Sequence, residues 1–180
     1  MGLRVGWYEG GKTMNDHAAV YAGTYDPWTN GHSHVLMQAA PLFAKITLAI
    51  GVNPAKRPMF DLDTRLAFLK DVADEYPNVD VGCFENIYTA NYAESQGAKY
   101  IVRGIRNIND FEAELSIAQI NLKINPRIRT VFFMADRAYA DISSSNVKAM
   151  IGYEGWEELV KQYIPSSMWN RFIRSVHART

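Results

Sequence analysis

The chain has 180 residues, enough for one domain with a sizeable core. With 48% apolar and 21% charged residues it has the composition of a folded rather than a disordered chain, and 19 basic against 19 acidic residues leave no net charge, which argues against a nucleic-acid partner. The lone cysteine, Cys83, excludes a disulfide within the chain, and no run approaches the ~18 apolar residues of a membrane span.

In chain order, residues 1–17 hold four glycines without a period and are expected to be a flexible leader, with residues 18–180 as the folded domain. Ala18–Ala22 is a short apolar run, a strand candidate ending at Gly23. His32–Ala40 carries Val35, Leu36 and Ala39 at helical spacing, with Pro41 behind them. Ile46–Val52 is β-branched and reads as a buried strand, followed by a loop with two prolines. Leu62, Leu66, Leu69 and Ala73 mark one helix face, with Asp61 and Asp63 at its start. Val79–Phe84 is the next strand, and Cys83 within it is expected to be a buried small hydrophobe. The order continues with a short helix over Ala90–Gln96, a strand at Tyr100–Val102, a helix over Asp110–Ile124 and a strand at Thr130–Met134. Three helical segments close the chain: Ser145–Ile151, Trp156–Ile164 and Met168–Val176. Such alternation implies an α/β fold: a Rossmann-like, doubly wound parallel sheet of about five strands, with helices on both faces and a helical C-terminus. Ligands of such sheets bind at the carboxyl ends of the strands.

Four motifs fall at those strand ends. The first runs from Gly23 through Thr24, Tyr25, Asp26, Pro27, Trp28, Thr29, Asn30 and Gly31 to His32. Its glycines permit close backbone approach, and free N–H groups at the helix start favour an anion within reach of His32. A polar loop with a capping histidine accounts for the spacing equally. The second spans Asn53 to Phe60 and offers Lys56 and Arg57, which also read as an ordinary surface pair. The third is Arg103-Gly104-Ile105-Arg106, whose planar guanidiniums suit phosphate or, alternatively, salt bridges to Asp110, Glu112 or Glu114. The fourth, Ile142-Ser143-Ser144-Ser145 with Lys148, is a capped helix start rich in hydroxyls. A parallel sheet brings all four to one edge, where two phosphate-bearing molecules could meet.

Thr29-Asn30-Gly31-His32 resembles the (H/T)xGH signature of the nucleotidyltransferase superfamily, and Ile142-Ser143-Ser144-Ser145 with Lys148 resembles its second signature. The motifs around Lys56 and Arg103 are similar to those of phosphopantetheine adenylyltransferases, and all four match in order and spacing over about Ala18 to Ile164. The resemblance implies transfer of AMP from ATP to 4′-phosphopantetheine, giving dephospho-CoA and pyrophosphate. It implies catalytic roles for His32, Lys56 and Arg106, and an acceptor site of Thr24, Lys56, Thr89 and Arg103. It places Thr24, Tyr25, His32, Gly104, Ile105, Arg106, Glu114 and the run Tyr139, Ala140, Asp141, Ile142, Ser143, Ser144, Ser145 around ATP. It also implies Mg²⁺, bound mainly through the ATP phosphates, and a homohexamer; the cytoplasm is the default compartment expected for a chain without an apolar span or signal core. The chain departs from the family pattern at Ala22, Tyr25, Trp28, His34 and Asp141. A related nucleotidyltransferase with another phosphorylated acceptor, or a non-catalytic nucleotide- or CoA-binding module, remain the alternatives.

Overall fold

The computed structural model describes residues 17–179; of the expected leader, all but His17 lies outside the described residues. Five strands, β1 (Ala18–Gly23), β2 (Lys45–Val52), β3 (Val79–Glu85), β4 (Ala98–Ile105) and β5 (Arg129–Met134), form one sheet in the order β3-β2-β1-β4-β5. Every pairing is parallel. The helices are α1 (Asn30–Ala39), α2 (Leu62–Ala73), α3 (Thr89–Ser95), α4 (Ile108–Ile124), α5 (Ser144–Met150), α6 (Trp156–Val160) and α7 (Ser166–His177).

The alternation of side chains along the central strands builds a core on each face. Tyr21, Leu48, Ile50 and Val102 join α1, α2 and α7 residues such as Leu36, Phe68 and Phe172 on one side. Val20, Ala22, Ala49 and Ile101 meet Ala90 and Ala93 of α3 on the other. Small residues on that second face let α3 lie close to the sheet. The strand order reverses between β1 and β4, so the carboxyl ends of these two strands open a crevice between their diverging connections.

Four expectations need correction. β4 extends to Ile105, so Arg103, Gly104 and Ile105 lie inside the strand and only Arg106 follows it. The ladder to β5 continues through Arg103↔Phe132 and Gly104↔Phe133. Gly104 does not break the ladder. It answers packing: a Cβ there would lie 2.7 Å from Val35 Cγ2 of α1. Cys83 is exposed rather than buried, because β3 is an edge strand with a neighbour on one side only. Helix α6 stops at Val160 instead of Ile164: beyond it the chain tightens into three-residue turn bonds, Gln162 N–H to Leu159 O and Tyr163 N–H to Val160 O, and the free carbonyls of Gln162 and Tyr163 accept from Asn30 Nδ2 and Asn30 N–H. Finally, α1 and α5 each begin earlier than expected, at Asn30 and Ser144, which places His32 at the third helical position.

Candidate active site

A cavity of about 310 Å³ lies at the β1/β4 crevice. Its wall is built from the end of β1 (Ala22, Gly23), the turn beyond it (Thr24, Tyr25, Thr29), the start of α1 (Gly31, His32), the end of β4 (Arg103, Gly104, Arg106), Asp110 and Glu114 of α4, and Ile142 to Ser145.

The turn from Gly23 to Asn30 is held from beneath. Asp26, 2% exposed, accepts hydrogen bonds from Met59 N–H and Phe60 N–H, both at 2.9 Å, and from Lys148 Nζ at 2.7 Å. Burial pushes its carboxyl up, but Lys148 and the two N–H groups outweigh that and hold it below the ordinary carboxylate range. Arg65, also buried, donates to Thr24 O at 2.8 Å and to Phe60 O at 3.1 Å. One buried carboxylate and one buried guanidinium thus fasten the β1–α1 turn to the β2–α2 loop and to α5. Gly31 is needed at the start of α1, since a Cβ would meet Ile142 O at 3.0 Å.

His32 sits in an aromatic box. Its ring centroid lies 5.2 Å from those of Tyr25 and Trp28 and 6.5 Å from that of Tyr21. Tyr25 enters this box through a left-handed backbone (φ 49°), and its hydroxyl donates to Tyr21 O at 2.7 Å. Thr29 N–H donates to His32 Nδ1 at 3.1 Å, half of a capping box in which a histidine stands at the third position. A backbone N–H can only donate, so Nδ1 is the acceptor and the neutral ring carries its proton on Nε2. Burial, then the positive charges of Arg106 and Arg103, push the imidazole down to about 3. The ring is therefore a neutral Nε2–H donor.

Both arginines of the third motif line the cavity and are also paired on α4. Arg103 grips Glu114 with two nitrogens, Nε at 2.6 Å, while its Nη1 donates to Ala22 O at 2.7 Å. Arg106 holds Asp110 through Nε at 2.8 Å and reaches Ile142 O with Nη1 at 3.3 Å. The two sequence readings of this motif, cavity wall and salt bridge, thus coexist. Glu112 takes no part in either pair. The serines divide their tasks: Ser143 caps α5 by accepting from Asn146 N–H, and Ser144 Oγ donates to Pro27 O at 2.7 Å. Lys56 reaches the rim, its Nζ 3.2 Å from Thr24 Oγ1.

The structure therefore brings together Thr24, Tyr25, His32, Arg103, Gly104, Arg106, Glu114, Ile142, Ser143, Ser144 and Ser145, with Lys56 joined through Thr24. It does not bring the others to the cavity wall. Ile105 is buried in the sheet, 1% exposed. Thr89 starts α3, beyond the edge strand β3. Tyr139 stacks on His34, and Asp141 takes the Tyr163 hydroxyl at 3.1 Å. Ala140 follows a 3₁₀ turn on the surface. Sequence reasoning gives no role to Asp26, Arg65 or Lys148. Asp26 and Lys148 both stand inside quoted motifs, so a charge of each sign in separate motifs is the available signal.

A parallel α/β sheet with a (H/T)xGH turn at its switch point defines a nucleotidyltransferase-type site, and residues 20–150 match the Cytidylyltransferase-like family model. The fold is shared with nicotinic acid mononucleotide adenylyltransferase of Plasmodium falciparum (TM-score 0.62, 14% identity, 88% of this chain and 95% of that one). Among curated proteins, the chain is 43% identical over 155 residues to a phosphopantetheine adenylyltransferase of Chromobacterium violaceum, covering 86% of this chain and 94% of that protein. It is 41% identical to the phosphopantetheine adenylyltransferase of Carboxydothermus hydrogenoformans, covering 86% and 95%. The chain belongs to the phosphopantetheine adenylyltransferase family.

Proposed function

We propose that this chain transfers the adenylyl group of ATP to the phosphate of 4′-phosphopantetheine, releasing pyrophosphate and forming dephospho-CoA. The observation that carries the reading is the neutral His32, with Nδ1 held by Thr29 N–H and its remaining donor in a cavity shared with Arg106 and three serines.

An acceptor phosphomonoester is largely ionised at pH 7, its second pKa being about 6, so the attacking oxygen needs no general base. That oxygen forms a bond to the α-phosphorus, the α–β bridging P–O bond breaks, and its electron pair leaves with pyrophosphate. The protein's work is alignment and charge stabilisation. His32 Nε2–H donates to a non-bridging α-oxygen as charge grows there. Lys56 and Thr24 hold the acceptor phosphate at the rim, with Arg103 behind them and Thr89 toward the pantetheine arm. Arg106 and the hydroxyls of Ser143, Ser144 and Ser145 hold the leaving phosphates. Tyr25, Gly104, Ile105 and Glu114 support the nucleotide, Ile105 through its backbone because its side chain is buried, and Tyr139, Ala140 and Asp141 shape the adjoining loop.

The cavity's carboxylates, Asp110 and Glu114, are committed to Arg106 and Arg103, and no cluster of potential metal ligands occurs among the described residues. These residues fit Mg²⁺ held by the ATP phosphates, where it would neutralise charge on the transferring and leaving groups. A homo-oligomer, hexameric by the family pattern, is supported by α4, on which Leu115, Ile117, Ile120 and Leu122 are exposed. No described helix is long and apolar enough to cross a membrane, and we assign the enzyme to the cytoplasm. The test is pyrophosphate release with ATP and a panel of phosphorylated acceptors, with mass detection of the product. Turnover of 4′-phosphopantetheine to dephospho-CoA is expected; turnover of nicotinamide mononucleotide or a sugar phosphate in its place would refute the acceptor assignment.

A further inference from the structure

No residue between Phe133 and Val147 is buried, yet this stretch carries Ile142 to Ser145 into the cavity wall. A surface segment of this kind keeps its place only through specific contacts. Several come from elements already described: Ala135 N–H to Ile105 O, Arg106 Nη1 to Ile142 O, Ser144 Oγ to Pro27 O and the Tyr163 hydroxyl to Asp141. Another comes from inside the fold.

His34 follows His32 by two positions on α1, which turns it about 200° around the helix and away from the cavity. Its side chain is 5% exposed. Its Nε2 accepts from Asp136 N–H at 3.3 Å, and its ring stacks on Tyr139 with centroids 4.2 Å apart and planes at 18°. Its Nδ1 is buried with no hydrogen-bond partner. An unpaired buried nitrogen is destabilising, and a leucine would fill similar space without that cost. What the imidazole offers beyond leucine is an acceptor for Asp136 N–H, a nitrogen 3.6 Å from the Asp136 carboxylate and a flat face for Tyr139. All three act on the segment that carries the serines.

We infer that His34 is a positioning residue for the nucleotide: through Asp136 N–H and the Tyr139 ring it fixes residues 136–145 against α1 and thereby sets the affinity of the cavity for ATP, without touching ATP itself. The inference rests on the reading that the nucleotide occupies the serine side of the cavity. One helix then serves the reaction twice. Its cavity-facing side presents His32, and its other side holds the nucleotide loop at the matching height. Gln38, one turn beyond His34, adds to this by donating to Met134 O at 3.2 Å.

The experiment compares wild type, His34→Leu and His34→Gln by steady-state kinetics, ATP calorimetry and thermal melting. His34→Leu is expected to raise both KM and Kd for ATP about five- to tenfold, the worth of one ordinary hydrogen bond, with the KM for 4′-phosphopantetheine within about twofold of wild type. Its melting temperature should not fall, because the unpaired Nδ1 is gone. A glutamine side-chain oxygen can accept from Asp136 N–H, so His34→Gln should recover most of the ATP affinity. Should the leucine variant aggregate, His34→Asn, too short to reach Asp136, should show the same selective loss. An unchanged ATP Kd in the leucine or asparagine variant overturns the inference. So does an equal loss for both substrates, or a glutamine variant that melts like wild type yet binds ATP no better than leucine. Wild type that fails to bind ATP at all would overturn the underlying nucleotide reading as well, which separates the two failures.

Discussion

Replacing His32 with alanine tests the chemistry at its centre. The ring supplies one Nε2–H donor to the cavity, and removal of one donor aimed at developing charge costs roughly 10²–10³ in kcat, or about 3–4 kcal/mol. The same change orphans Thr29 N–H in a residue that is 0% exposed, which costs about 1–3 kcal/mol of stability. The two losses can be separated. Glutamine at this position restores the capping box, so His32→Gln should regain the stability. Its amide N–H lies beside the oxygen that accepts from Thr29, not across a ring from it, so most of the rate should stay lost. Pyrophosphate release at saturating ATP and 4′-phosphopantetheine gives kcat, calorimetry gives ATP affinity, and urea unfolding gives stability. The pH dependence adds a second check. With the imidazole pushed down to about 3 by burial and the two arginines, kcat/KM, which reports the free enzyme, should show no His32 limb at about pH 5–7. Stability behaves differently: the unfolded chain's histidine binds protons below about 6.5 and the folded one does not, so the contribution of His32 is complete above that pH and is lost as pH falls toward 3. An unchanged kcat in His32→Ala, or an acid limb near pH 6–7 that disappears in His32→Gln, would refute the reasoning.

Lys56→Ala should raise the KM for 4′-phosphopantetheine about tenfold or more while leaving ATP affinity within about threefold; collapse of ATP affinity with intact acceptor binding would reverse the two phosphate sites. Asp26→Ala leaves Met59 N–H and Phe60 N–H unpaired beside Lys148 and should destabilise by about 3–5 kcal/mol in urea unfolding, with a loss below about 1 kcal/mol counting against its anchoring role. Because its carboxyl is held low in the folded state, the stabilisation from Asp26 is complete above about pH 4 and is lost as pH falls through the lowered value. Ile120→Asp, at a position 54% exposed, should reduce the assembly size in sedimentation with little effect on the fold; unchanged sedimentation would clear α4 of a role in self-association.

What is legible in the sequence is what neighbours along the chain decide. The β-branched run of β2 and the spacing of α2 declare their period within ten or so residues. Asp61 caps α2 by accepting from Thr64 N–H at 2.8 Å, a contact spanning three positions. The four anion-friendly motifs are visible because strand ends carry them and a parallel sheet gathers strand ends. What is not legible depends on distant partners. Asp26 and Lys148 meet across 122 positions, and nothing local marks either as anchored. The exposure of Cys83 depends on β3 being an edge, which is set by strand order. The docking of the end of α6 on α1 depends on Asn30, which donates to Gln162 O and Tyr163 O from 132 or more positions away. From sequence β4 reads as ending at Val102, with Gly104 in the motif beyond it, whereas the strand runs on to Ile105 and the close approach of Val35 from α1 is what Gly104 answers.

The positions where this chain departs from the family pattern bear on what the acceptor is. Tyr25 and Trp28 pack against each other with ring centroids 4.8 Å apart, and Tyr25 turns its hydroxyl inward to Tyr21 O. Trp28 is 0% exposed and donates to Ser33 Oγ at 2.7 Å. These two therefore rebuild the wall behind His32 from within. His34 meets Tyr139, and Asp141 meets Tyr163, both on the stretch that leads into the serines. Ala22 offers Arg103 only a backbone carbonyl, a contact independent of its side chain. At each of the other four departures the side chain has found a partner in this chain, which is how a substituted site keeps its geometry. None of those partners is Lys56 or the Thr24 hydroxyl beside it. On the proposed reading, the altered positions thus adjust the support of the His32 ring and of the serine loop, while the rim keeps the cation and hydroxyl that a phosphate-bearing acceptor would require.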